Sequence, residues 1–322
     1  MGRMGPVGFM AAGLLYAGAC SCFASNLSAK RMSIERTRDG DATVFRDSVV
    51  VTDGGTRITA DLARMYEGRG LALIQGAVHI TNPDAQIWAD SVRYVFSDKL
   101  AELFGNVRVR QESLYIRAPK LLYLSREKLV RADSGLLIED INRSFQLTGR
   151  KGTYDLDSDV GAVDSSPVLT WRRDKDSARV TSREMQWYEK ASRARARGDV
   201  RLKSGATELE CDTIEFISGP DSGLALGEPR VRDSVSRASG DTMTFRIRNG
   251  GLERVTILNR ATGEYRTEGG DSIVVAGRSI ELRVAGGAID QVEVRELSSG
   301  QLIRTGRQNS AAETRTEGRE SQ

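Results

Sequence analysis

The stretch "GNVRVRQESLYIRAPKLLYLS", residues 105–125, alternates apolar with polar side chains through two runs joined by the polar Gln111-Glu112-Ser113. Successive side chains of a β-strand point to opposite faces. Val107 and Val109 in the first run, and Leu114 and Ile116 in the second, therefore take one face, while Arg108, Arg110 and Lys120 belong to the polar side. A helix does not fit, because the apolar spacing never settles to three and four and β-branched and aromatic residues dominate.

The same pair of runs recurs along most of the chain. Aligning on the first apolar residue after each polar turn produces a column, Ile58, Ile87, Ile116, Leu147, Val180, Leu209, Ala238 and Ile273. Seven residues later stands a second column, Met65, Tyr94, Tyr123, Tyr154, Trp187, Phe216, Phe245 and Ile280. The units are 29, 29, 31, 33, 29, 29 and 35 residues apart, a period that marks a solenoid or array. A small residue follows the first column by two (Ala60, Ala89, Ala118, Gly149, Ser182, Cys211, Gly240; Val275 is the exception), and Asp61, Asp90, Asp212 and Asp241 come directly after it. Glycines 76, 105, 135, 198 and 227 lie about 18 residues before the second column.

Each unit holds two strands of about 10 to 12 residues, joined by polar turns such as Ser97-Asp98-Lys99 and Thr81-Asn82-Pro83-Asp84. The glycine and small-residue columns fall near the strand middles, where a tiny side chain permits a bend or a close approach of backbones. A strand bent at its midpoint gives half its length to each of two facing sheets. The expected fold is all-β: an elongated, folded-over antiparallel sheet of about eight two-strand repeats, sixteen strands, with an apolar inside. Val49, Val51, Ile58, Met65, Leu73, Val78, Ile80, Ile87, Tyr94, Phe96, Leu103, Val107, Val109, Ile116, Leu121, Tyr123, Leu147, Tyr154, Val180, Trp187, Leu209, Phe216 and Phe245 are expected to line it.

Around this array, residues 43–297, the sequence divides simply. Residues 1–24 carry one early charge, Arg3, then an apolar run and small residues, the pattern of a secretory signal. Ala17-Gly18-Ala19-Cys20 also resembles an imperfect lipoprotein cleavage box, with Cys20 as the lipidation candidate, so that the exported chain is either free or membrane-tethered. Residues 25–42 read as a polar arm, and residues 298–322, rich in Ser, Gly, Thr, Arg and Glu, as a disordered tail. Cleavage beyond Cys22 would leave Cys211 alone, so strand pairing and burial must hold the fold.

Several kinds of chemistry find no support. With 47 basic and 44 acidic residues the net charge is +3, which does not mark a nucleic-acid binder. His79, the single histidine, alternates with Val78 and Ile80 and so points outward, and one histidine builds neither a triad nor a His-based metal site. Cys211 occupies the small-residue column and reads as a packed thiol. The recurring aspartates are widely spaced, whereas paired acid and base carboxylates need a local pair in a cleft. Arg193, Arg195 and Arg197 form a stripe that reads as a solvated outer face. No glycine-rich phosphate loop is present. We expect no enzyme, no cofactor and no metal.

Gly105-Asn106-Val107, Ile87-Trp88-Ala89-Asp90 with Tyr94, and Ile116-Arg117-Ala118 with Tyr123 resemble the repeat pattern of the OstA-like domain family. Residues 47–125 match best, and from about 130 the columns degrade, with Ser166-Pro167-Val168 replacing one glycine turn. The resemblance implies a β-jellyroll whose apolar lining is a lipid groove, in a periplasmic bridge that carries lipopolysaccharide or a related glycolipid between inner and outer membrane. It also implies homologous groove domains as partners. An open stack has two unpaired edge strands, which recruit partner strands or a second copy, and Phe45–Val51 reads as such an edge unless the amino-terminal arm masks it. The alternative is a non-transporting β-solenoid scaffold or interaction protein of the envelope, its interior wholly packed.

Overall fold

The computed structural model describes residues 26–304 apart from 39, 54, 112–113, 142–144, 174–175, 189, 192, 218–221 and 268–269. The signal segment with Cys20, and the tail beyond 304, lie outside the described residues. Twenty-five strand segments follow one another as an antiparallel meander, with one 3₁₀ turn, Glu67–Arg69, and no α-helix among the described residues. Seven consecutive pairs of segments, such as Leu129–Ala132 with Leu136–Asp140, are the two halves of one creased strand, so the described chain makes eighteen creased strands. The second half of each creased strand pairs with the first half of the next, and its first half with the second half of the next, which folds the sheet into two walls. The molecule is an elongated all-β jellyroll.

The sixteen expected strands run from Gly40–Asp53 to Ser272–Ala285, and one more lies at each end. Asn26–Ser28 and Arg31–Thr37, within the expected polar arm, pair along both halves of Gly40–Asp53. Phe45–Val51 is therefore not the edge. At the other end Ala288–Ile303 pairs with Ser272–Ala285 as far as Ile303, so Ser298–Ile303 are strand where a disordered tail was expected. The cause is common to both corrections: ladder hydrogen bonds join backbone groups and need no apolar column. Polarity of side chains was a poor guide where one sheet face meets solvent.

A double left-handed step makes the crease. Consecutive residues with positive φ occur at Asp47-Ser48, Gly76-Ala77, Gly105-Asn106, Ser165-Ser166, Gly198-Asp199, Gly227-Glu228 and Asn259-Arg260, in alternate strands. In Gly40–Asp53, for instance, Asp47 and Ser48 together stand against Asp61 alone, between the pairs Arg46↔Leu62 and Val49↔Ala60, a β-bulge that bends the strand. Ser165-Ser166 does this without glycine, which explains why the glycine column breaks there. The aspartates after the small-residue column pack against the crease. A Cβ on Gly105 would lie 2.1 Å from the Asp90 carboxylate, and Asn106 Nδ2 donates to Asp90 at 3.0 Å. Arg183 with Asp199 and Arg260 with Asp241 close other creases as ion pairs.

Inside, the second column explains its own spacing. Tyr94, Tyr123, Tyr154, Trp187, Phe216 and Phe245 lie in one row across the sheet, and the strands between them contribute Ala101, Val130, Gly161, Ala194 and Gly223. The rings of Trp187 and Phe245 spread over the glycines beside them, Gly161 and Gly223. Tyr154 and Trp187 stack 6.4 Å apart across Gly161, and Phe216 meets Phe245 edge-on at 5.9 Å across Gly223. Large and small side chains alternate along most of the row, an arrangement that suits close packing.

Outside, charges pair across strands. Glu102 accepts from Arg93 at 2.6 Å and Lys120 at 2.8 Å, and these cations, Lys120 first, hold its carboxyl below the usual range. A depressed folded-state value adds stability that is present above the unfolded value and lost as pH falls through the folded one. Glu102→Gln is expected to cost about 1 kcal/mol at neutral pH, with the difference from the parent vanishing in acid, measured by urea denaturation at a series of pH values. Leu73 belongs to this outer face, opposite Arg64 and Arg93, in a small cluster with Ala42, Val44 and Tyr66. It was expected inside. Leu71-Ala72-Leu73-Ile74 is apolar at every position, so alternation cannot orient it; Ala72 and Ile74 are the buried pair.

Candidate functional site: the space between the walls

Apart from Leu73, the expected lining residues that the structure brings together face one another from two walls. One wall carries the first column, including Ile58, Ile87, Ile116, Val180 and Leu209; the other carries Met65, Tyr94, Tyr123, Tyr154, Trp187, Phe216 and Phe245. Cross-strand pairs such as Ile80 with Ile87, Val109 with Ile116, and Leu202 with Leu209 form a continuous apolar ladder on the first wall. Val49, Val51, Val78, Val107, Leu103, Leu121 and Leu147 belong to the same buried cluster. Phe96 meets Tyr94 edge-on at 5.0 Å.

Exposure within this interior is uneven: Ile87, Val107 and Val109 are buried in the front of the array, while Ile273 near the carboxyl end is exposed. Ile58, Met65, Tyr94, Phe96, Ala101 and Ile116 are only half-buried, whereas Val180, Leu209, Phe216 and Phe245 are buried. In the middle the walls touch, with Trp171 of the first-column wall 5.5 Å from Phe216 of the other. Burial raises the Tyr94 phenol above its ordinary value, the Tyr123 hydroxyl adding to the effect. Two interior polar atoms, Trp171 Nε1 and Ser236 Oγ, are buried without a hydrogen-bond partner.

Toward the carboxyl end the rims of the two walls are bonded together. Gly287 O, in the turn after Ser272–Ala285, accepts from Ala206 N at 2.8 Å, Thr207 N at 2.9 Å and Thr207 Oγ1 at 3.0 Å. Leu252 N donates to Ser204 Oγ at 3.0 Å, and Ile289 N to Asp233 Oδ2 at 2.8 Å. Gly205 and Gly287 come so close that a Cβ on Gly205 would lie 2.6 Å from Gly287 Cα. The sequence offered no sign of this latch, since its groups are backbone atoms and turn residues 48 to 80 positions apart. Beyond it the walls part again over a cleft of about 240 Å³ between Ala238, Gly263, Ile273 and Val275 on one wall and Ile280, Leu282 and Val292 on the other.

The residues set aside from chemistry stay so. His79 stacks on Trp88 with centroids 4.9 Å apart on the outer face. Cys211 is buried, and burial pushes its thiol up to about 12, which keeps it protonated and unreactive at neutral pH. Arg195 of the arginine stripe pairs with Glu215 at 2.5 Å on the outer face. No group of three or more possible metal ligands occurs among the described residues, and no helix there is long and apolar enough to cross a membrane.

Residues 26–128 match the family model described as LptA/(LptD N-terminal domain) LPS transport protein. No curated protein matches the chain. Among solved structures, that of LptH, the LptA homologous periplasmic component of the conserved lipopolysaccharide transport device from Pseudomonas aeruginosa, is 19% identical, covering 34% of this chain and 80% of its own at a TM-score of 0.29. Over residues 26–128, the amino-terminal part of the creased sheet, the chain is thus similar to the OstA-like domains of the LptA and LptD amino-terminal family.

Proposed function

We propose that this chain is an exported, non-enzymatic carrier or bridge for lipopolysaccharide or a related glycolipid in the periplasm, holding acyl chains between its two walls. One observation carries the reading. The stretch that matches the family, residues 26–128, is also the stretch in which lining residues Ile58, Met65, Tyr94 and Ile116 keep contact with solvent. An exposed methylene costs about 0.8 kcal/mol, so a twelve-carbon chain in water costs roughly 10 kcal/mol. An apolar cleft open along its mouth removes most of that cost while leaving the sugar headgroup wet. Because one unit repeats the lining of the next, affinity changes little along the cleft and a chain slides without a high barrier.

The buried, latched part of the remainder favours a second role for the same molecule, that of a stiff spacer. On this reading the front units load lipid and the latched back units set length, with the strand edges at either end available to homologous groove domains or a second copy. Photo-crosslinking separates the roles. A benzophenone side chain placed at Tyr94 or Ile116 is expected to capture glycolipid in the cell envelope, and one at Phe216 or Phe245 to capture none. A purified protein free of glycolipid in native mass spectra, together with no adduct at Tyr94 or Ile116, would leave only the spacer.

A further inference from the structure

The outer face of the first-column wall gathers four exposed arginines near its amino-terminal end. Over five adjacent strands, from Thr56–Tyr66 to Leu114–Leu124, strand pairing sets two rows side by side: Thr59, His79, Trp88, Arg108 and Arg117, and next to them Arg57, Thr81, Gln86, Arg110 and Tyr115. The four arginines are exposed and the rings of His79, Trp88 and Tyr115 are half-buried between them. Many other arginines of the described surface face carboxylates, as Arg93 faces Glu102, Arg195 Glu215 and Arg254 Glu281. Here Arg117 alone has one, Glu139 at 2.8 Å, and its side chain is still 49% exposed. Arg110 lies over the Tyr115 ring at 5.9 Å, and Arg57 and Arg108 have no carboxylate partner among the described residues.

At about 4.8 Å per strand the patch is roughly 20 Å across, and it is the open face of a sheet. Pockets for small ligands are concave. A flat field of guanidinium groups with amphipathic rings suits a flat, anionic partner instead, one that engages all the charges at once: arginine forks match lipid phosphates, and Trp and Tyr favour the headgroup level of a bilayer. We propose that this face docks the protein on an anionic lipid bilayer, with Arg57, Arg108, Arg110 and Arg117 at the phosphates and Trp88 and Tyr115 in the interface. The docking does not depend on what the interior holds.

The test uses the full chain in sedimentation with vesicles of phosphatidylcholine alone and of phosphatidylcholine with phosphatidylglycerol. Taking the ratio of the two affinities cancels whatever residues 1–24 contribute. Preference for the anionic vesicles is expected, and Arg108→Ala with Arg110→Ala should lower it about thirty-fold, at roughly one kcal/mol per cation. Arg108→Lys with Arg110→Lys should retain most of it. Arg232→Ala with Arg248→Ala, the same charge change on paired arginines elsewhere, should leave it nearly unchanged. Equal affinity for the two vesicle types overturns the proposal, and so does equal loss in both alanine pairs, which would mean bulk charge alone. Release by inorganic phosphate at matched ionic strength also overturns it, in favour of a phosphate site. Circular dichroism checks each variant for the β-sheet spectrum.

Discussion

Trp187→Ala is expected to lower stability by about 3–5 kcal/mol, and Gly161→Leu added to that variant is expected to restore part of the loss. Trp187 is buried, directly opposite Gly161 in the aromatic row. A Cβ on Gly161 would lie 1.9 Å from the indole, so in the parent protein Gly161→Leu overpacks the row and should cost about 3 kcal/mol. Once the indole is gone, the same leucine fills the space it left. The signs of the two Gly161→Leu effects are therefore opposite, so the coupling energy exceeds the cost of about 3 kcal/mol in the parent. Guanidinium denaturation followed by far-UV circular dichroism measures all four corners of the cycle. Additive losses would mean that the alternation of rings and small residues is a coincidence of sequence and does not hold the wall together.

Gly287→Val should open the latch, at a cost on the order of 3–5 kcal/mol. Gly287 has φ +80, where a β-branched residue is strained by about 1–3 kcal/mol. Its new Cβ would sit 2.8 Å from Gly205 Cα, and backbone cannot rotate out of the way as a side chain can. The rims must separate, and the three hydrogen bonds to Gly287 O go with them. Thr207 is fully buried, so its stranded donors add roughly 1–3 kcal/mol. The expected signature is local. Amide exchange at Ala206 and Thr207 should speed up strongly while the amides of Leu100–Gln111 keep their protection. If the variant also captures glycolipid at Phe216, where the parent does not, the latch is what excludes lipid from the back of the array. Unchanged exchange at Ala206 and Thr207 would show that the rims are not held by Gly287.

The two columns carried most of the architecture. Ile87, Ile116 and Tyr123 stand where alternation and a 29-residue period put them, because adjacent antiparallel strands repeat the same register and each inward side chain needs only its two neighbours. The aspartates were legible as a recurring column but not as the groups that fill the crease, since their contact with glycine depends on a bulge that shifts register by one residue. Leu73 failed where every position was apolar, and the end strands failed because polar sequence pairs through its backbone as readily as apolar sequence does. The arginine field escaped notice for a related reason. Arg57, Arg108 and Arg110 look like any outward residues until strand register sets them beside one another, with no carboxylate paired to them among the described residues.

Periodicity by itself determined that this chain is a creased antiparallel sheet, apolar within, and which side chains turn inward over most of its length. Those are nearest-neighbour properties, repeated unit after unit, and a repeating pattern displays them directly. Only the tertiary structure decided that Ile58 and Tyr94 stay half-buried while the walls touch at Trp171 and Phe216 and are bonded rim to rim at Gly287. The separation of two walls is the summed twist of many strands, and it is closed by backbone groups from turns 80 residues apart, which leave no hydrophobic signal in the sequence.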